Sequence, residues 1–427
     1  MHLCFYSMPA TVQSMPPVNI PTFRKVGSAL WRPIELTDTV PDVAARLAGR
    51  PGFLWLDSAV AVPGSISLLA AEPTSLLRGK IGSDWDTVEA ALAAGGTGGI
   101  YGWVGFDGRF TLGRYPSLLR YDHDTRKWWG QGDFDSWLSD QSPAPKQVIR
   151  NLCFNPRSSR EVFTQNVHQA QEYIRAGDIY QVNLSHPWHA EWTADADFFG
   201  MYLRLREVSP APHSACLNLD GMTILSASPE LFLKMEGRSI KTRPIKGTRP
   251  RFPRDSIRDA QSAHDLLMCE KERAELLMIT DLERNDLGQV CEYGSVCTNE
   301  LWKVETFAQV YHLVSTVTGT LKKDVSHAAA FRACFPGGSI SGAPKKRALE
   351  IISELEPWPR GIYTGAIGGF GLDDSCQWSI AIRTAVRCGP EVTFHTGSGI
   401  VADSIPEREW EETLHKASGL LNAWGKA

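Results

Sequence analysis

The stretch Ile179-Tyr180-Gln181-Val182-Asn183-Leu184-Ser185 constrains the chain most, because it alternates apolar and polar residues without a break. Side chains alternate across a strand, so Tyr180, Val182 and Leu184 share one face and Gln181, Asn183 and Ser185 the other. The polar row is either a solvent face or the polar wall of a site, and the pattern leaves both open. Hydrophobic runs predict further strands at Phe53–Leu56, Met222–Ala227, Leu231–Met235, Ser239–Ile245, Ser379–Val386 and Glu391–Thr396, with a glycine-punctuated strand pair from Gly98 to Gly105. Apolar residues at helical spacing predict a helix from Val162 to Ile174, stopped by Gly177, and helices over Ala260–Asp281, Pro344–Glu354 and Pro406–Ala423.

Length and composition bound the rest. A chain of 427 residues, 43% hydrophobic and 22% charged, has material for one large core or for two or three domains. Residues 1–22 are rich in Pro and Met and read as a loose tail, and Ser139–Arg160 reads as a connection between two parts. Nine cysteines without C-x-x-C spacing argue against a disulfide framework or zinc ribbon and for a reducing compartment. With no leader-like start and no run of eighteen apolar residues, the expectation is a cytoplasmic protein without a membrane partner. A net charge of −4 disfavours a nucleic-acid partner, although six basic residues between Lys241 and Arg254 form a local patch suited to anions.

Several constellations carry possible chemistry. Glu272 and Glu275 are three apart in one expected helix, and Glu409 and Glu412 in another. That spacing puts each pair on one helix face. Two such faces in contact would need a hard cation such as Mg²⁺, whereas either pair alone is more often a solvated face. Phe335–Lys345, which contains Ser341, is a Gly/Ser loop entering a helix, open both to a plain helix start and to an anion on its N–H groups. Thr396-Gly397-Ser398-Gly399 reads as a second flexible loop. Arg383, in an otherwise small and apolar strand, needs either an internal carboxylate or a bound one. Lys246 is followed by Gly247, which permits close backbone approach, yet it is also one lysine of the basic patch. Glu230 opens a strand, as many acids do.

Seven motifs in order resemble the chorismate-utilising enzymes, a family that includes anthranilate, aminodeoxychorismate, isochorismate and salicylate synthases. They are Gly177–Ser185, Ser228–Phe232, Pro244–Arg249, Asp281–Gly288, Ser341–Lys345, Tyr363–Ala366 and Gly399–Thr413. The resemblance runs from about Val162 to the end and implies an α/β unit of two large, mostly antiparallel sheets packed face to face with helices outside. It implies a catalytic region over residues 158–427, continuous with an N-terminal region over 23–145 like that of anthranilate synthase component I. It also implies that Glu275 and Glu412 bind Mg²⁺ with Glu272 and Glu409 close behind. Gly247, Thr248, His312, Ser341, Tyr363, Arg383, Gly397, Ser398, Gly399 and Lys416 are implied to line the chorismate site.

Two positions select among the family's reactions. Water-adding members carry a general-base lysine where this chain has Gln181, and glutamine cannot deprotonate water. Anthranilate synthases usually carry alanine where this chain has Lys246, whereas aminodeoxychorismate synthases carry lysine. The resemblance therefore implies amination at C4 in para-aminobenzoate and folate synthesis, with Glu230 as acid and Lys246 as nucleophile. Its alternatives are anthranilate formation and a non-catalytic anion-binding protein. No G-x-C-x-G nucleophile loop surrounds any cysteine, so ammonia is expected from a separate glutamine amidotransferase subunit. Tryptophan control is not expected, because Leu54–Ser58 matches the family's inhibitor motif loosely and His213 replaces a tyrosine.

Overall fold

The structure, a computed structural model, describes residues 31–139, 148–193, 196–307 and 309–425. The expected tail over residues 1–22 lies outside the described residues, as do Pro143 and Pro145 of the expected connection. The 22 strands among the described residues form a twelve-stranded and a ten-stranded sheet. Every pairing between these strands is antiparallel. Both sheets draw strands from before residue 132 and from after residue 180, so neither belongs to one part of the chain alone.

Strand alternation builds the layers. Leu54, Leu217 and Ile224 of the larger sheet point inward and meet Tyr101, Trp103 and Ile367 of the smaller one. Their neighbours Trp55, Cys216 and Leu225 point outward, against Phe199, Tyr202 and Leu205 of the helix Phe198–Val208 and Leu420 of the helix Pro406–Trp424. On the outer face of the smaller sheet, Leu233, Met235 and Trp378 pack with Leu287, Val290 and Phe331 of the helices Glu270–Val290 and His327–Cys334. Each fully buried Leu or Ile here contributes about 1.5–3 kcal/mol. The result is the expected four-layered α/β arrangement, with helices outside two facing sheets.

Five local expectations are corrected. Gly98–Gly105 is not a strand pair but one strand, Gly99–Val104, lying between Arg109–Tyr115 and Ala366–Gly371. The expected strand Ser239–Ile245 breaks at Pro244, which has no N–H to give a ladder, into Ser239–Arg243 and Ile245–Pro250. The expected strand Ser379–Val386 is the end of Ser375–Ile380 in the smaller sheet and the start of Thr384–Cys388 in the larger. The chain crosses between sheets there, and Arg383 has a positive φ of 50°. The expected helix Ala260–Asp281 is two helices, Ser256–Met268 and Glu270–Val290, separated by the extended backbone of Cys269. Thr396–Gly399 is not a loop but part of the strand Glu391–Ile400.

Candidate active site

The polar row of the strand Gln181–Glu191 does not face solvent. Gln181 is fully buried and Asn183 is 7% exposed. This strand pairs with Glu391–Ile400 so that Asn183, Leu184 and Ser185 stand opposite Gly399, Ser398 and Gly397. A Cβ on Gly397 would lie 2.5 Å from the Leu184 carbonyl oxygen and 2.9 Å from Asn183 Oδ1, so only glycine lets the two strands approach this closely. Both amide atoms of Gln181 and Oδ1 of Asn183 are buried without a hydrogen-bond partner. Leaving such atoms unpaired costs about 1–3 kcal/mol each, a cost that a polar ligand would remove.

Lys246 stands over the same wall. A Cβ placed on Gly399 would lie 2.9 Å from Gln181 Nε2 and 3.8 Å from Lys246 Nζ. Lys246 Nζ donates to the Ser339 carbonyl oxygen at 3.2 Å, and the Ser339 hydroxyl bonds the Glu230 carboxyl. Glu230 is 5% exposed. Burial pushes its pKa up, against the Ser339 hydroxyl, Lys246 and Lys416, which pull it down. Glu230 also acts on Arg383, whose pKa burial lowers and Glu230 raises. Arg383 makes no ion pair among the described residues, so the internal salt bridge considered from the sequence does not form. Burial, with Arg383 adding, pushes the His312 pKa down to about 3, and its Nδ1 is hydrogen-bonded to the Thr248 hydroxyl at 2.9 Å.

The glutamate pairs converge from two helices. Glu272 and Glu275 lie on Glu270–Val290, and Glu409 and Glu412 on Pro406–Trp424. The Lys271 ammonium lies 3.7 Å from Glu275 and 3.9 Å from Glu409. Gly247, at φ +76°, abuts this cluster: a Cβ there would sit 2.9 Å from Glu272 Oε2. Ser398 donates to Glu409, and Lys416 bridges Glu412 at 2.7 Å and the Gly397 carbonyl at 2.9 Å. Burial raises the Glu275 pKa against Lys246 and Lys271. At Glu412 burial works upward too, but Lys416, Lys246 and Ser398 outweigh it and hold the carboxyl low. Among the described residues, no three His, Cys, Asp or Glu side chains stand close enough to hold a metal ion alone. The all-oxygen donor set, with a lysine ammonium standing in between its carboxylates, suits a hard cation that keeps waters and takes oxygens from a substrate.

The remaining expected residues sit around this centre. The Ser341 hydroxyl is buried and spent on the Gly337 carbonyl at 2.9 Å, so only its backbone faces the strand, where its carbonyl accepts the Asn183 N–H. Tyr363 is buried and stacked on His395, with ring centroids 5.3 Å apart. Sequence reasoning missed Glu356 and Arg360, a buried pair 2.7 Å apart. Arg360 also donates to the carbonyls of Asn183 and Ile340 and to Thr364, while Glu356 accepts the N–H and hydroxyl of Ser185. The pair thus pins the wall to the loop before Tyr363. Its i, i+4 spacing was visible, but Pro357 and Pro359 between the two hide it from a helical reading. Arg360→Ala leaves Glu356 buried and unpaired, and is expected to cost about 3–5 kcal/mol in denaturant unfolding; a change below about 1 kcal/mol would contradict the pinning role.

Two facing antiparallel sheets with helices outside define an α/β protein in which a buried acid, a lysine and a carboxylate cluster lie near one another. The model of the chorismate binding enzyme family matches residues 96–422, and the chain belongs to that family. It is 47% identical over 274 residues to an anthranilate synthase component 1 of Haloarcula marismortui, covering 64% of this chain and 54% of that protein. It is 43% identical over 287 residues to aminodeoxychorismate synthase component 1 of Escherichia coli, covering 67% and 63%. The match therefore spans only about half to two thirds of these relatives' length. Among solved structures, anthranilate synthase component I from Streptococcus pneumoniae superposes with a TM-score of 0.74 at 29% identity, covering 84% of this chain and 93% of that one. No helix among the described residues is long and apolar enough to cross a membrane.

Proposed function

We propose that this chain aminates chorismate at C4 to give 4-amino-4-deoxychorismate, the compound in the name of one of its relatives. The observation that carries this reading is the position of Lys246. It shares Ser339 with the buried acid Glu230 and lies in the field of Glu275 and Glu412. Glu230, whose pKa burial raises, gives its proton to the departing 4-hydroxyl. Lys246 attacks C2 through its amine nitrogen as that hydroxyl leaves as water. Ammonia then attacks C4 and expels the lysine as its amine, and the proton released from the new C4 ammonium returns to Glu230. Arg383 binds a substrate carboxylate, and His312 and Thr248 line the ring. Glu275 and Glu412, with Glu272 and Glu409 behind them, would hold Mg²⁺, which when bound would supply positive charge against a substrate carboxylate. Gln181 offers amide atoms but no base, which disfavours water addition.

Ammonia comes in this reading from a glutamine amidotransferase, whose nucleophile none of this chain's cysteines supplies. Anthranilate formation is the second reading, favoured by the 47% identity to a protein of that name. The test is incubation of the chain with chorismate and Mg²⁺. Ammonium is expected to support amination at C4 and glutamine alone to support none. Anthranilate as the main product would establish the second reading instead.

A further inference from the structure

The geometry points to Glu283 as a positioning residue that fixes the Gly338–Ser339 segment, and through it both Glu230 and Lys246. Glu283 lies on the helix Glu270–Val290 and is 3% exposed. Its Oε1 accepts the Gly338 N–H at 3.1 Å, and its Oε2 pairs with the Thr242 hydroxyl at 3.2 Å. These two partners belong to the two segments that meet at the site. Gly338 directly precedes Ser339, whose hydroxyl bonds Glu230 and whose carbonyl accepts Lys246 Nζ. Thr242 is the penultimate residue of the strand Ser239–Arg243, which leads across Pro244 to Lys246. One buried carboxyl therefore ties together the backbone behind the acid and the backbone behind the amine, without touching a substrate.

The neighbouring contacts define what its loss does. Asp286, one turn further on, pairs with Lys345 at 2.6 Å, and Lys345 also donates to the Cys334 carbonyl. The loop's flanks therefore remain anchored without Glu283, and only its centre is released. Burial pushes the Glu283 carboxyl up to about 8, with Asp286 and Glu230 adding, and Lys345 and the Gly338 N–H opposing. The group is thus largely uncharged at neutral pH, and glutamine reproduces it: its oxygen accepts from Gly338 and its amide donates to Thr242.

This inference rests on the proposed reaction for its kinetic arm only. Misplacing reacting groups by about 1 Å costs on the order of 10²-fold. Glu283→Ala is therefore expected to lower kcat by about 10- to 100-fold while KM for chorismate changes less than about threefold, because the groups proposed to bind the carboxylates are untouched. Glu283→Gln is expected to stay within about threefold of wild type. Amide hydrogen exchange on the ligand-free chain reads the same effect without chemistry. Protection of residues 337–340 is expected to fall at least tenfold in Glu283→Ala and to persist in Glu283→Gln. Unchanged exchange in the alanine variant, or glutamine as damaging as alanine in both readouts, overturns the inference. A wild-type chain inert toward chorismate sinks the proposed reaction instead and leaves the exchange result to decide the role of Glu283.

Discussion

Lys246→Ala is expected to lower 4-amino-4-deoxychorismate formation by on the order of 10²-fold or more, the scale of losing a nucleophile while keeping binding. Among the described residues Lys246 Nζ has one acceptor, the Ser339 carbonyl, and it stands beside the Gln181 amide over Gly399. It is held by its surroundings but not locked into a tight ion pair, as a group that must form and break a bond requires. Without it ammonia is free to take C2, so the residual product is expected to shift toward the C2 amine or anthranilate. Lys246→Arg separates this role from electrostatics. Arginine keeps the charge but is not a usable nucleophile, so it is expected to be nearly as damaged as alanine. Withholding ammonia and quenching in acid should leave the substrate adduct on Lys246, read by mass spectrometry. Wild-type rate and product in Lys246→Ala would remove the lysine from the mechanism.

The second large effect concerns the carboxylates. Glu275→Gln and Glu412→Gln are each expected to lose activity by two to three factors of ten, since cation stabilisation of developing charge is worth several kcal/mol. Both should remain folded, because Glu275 and Glu412 are partly exposed and lie at the rim of the core. Chelator should abolish wild-type turnover and Mg²⁺ restore it. The glutamine variants should also lose the Mg²⁺-dependent rise in melting temperature, a readout independent of catalysis. Full activity in excess chelator would contradict the assignment of these glutamates.

The sequence made the elements legible where a local signal existed. Alternation found the wall strand at Gln181, and helical spacing found Pro406–Trp424 and both glutamate pairs. It failed where a long-range partner decides the local shape. Cys269 is neither Gly nor Pro, so nothing local marks the break that starts Glu270–Val290. Apolar residues continue through Arg383 although the chain passes there from one sheet to the other. The glycines at 397 and 399 suggested a loop, yet they serve a strand pressed against its neighbour. Burial of the polar row was one of two readings the pattern left open, and the opposing strand decides it. The Glu356–Ser185 and Glu283–Gly338 bonds join segments 171 and 55 residues apart, and no spacing rule reaches that far.

The central claim, amination of chorismate at C4, is tested most directly with ¹⁵N-ammonium. The purified chain is incubated with chorismate, Mg²⁺ and labelled ammonium, and the product is analysed by NMR without added lyase. The expected result is ¹⁵N bonded to ring C4, with the pyruvyl ether intact and the 4-hydroxyl gone. Label at C2, anthranilate with loss of pyruvate, or isochorismate without label would contradict it.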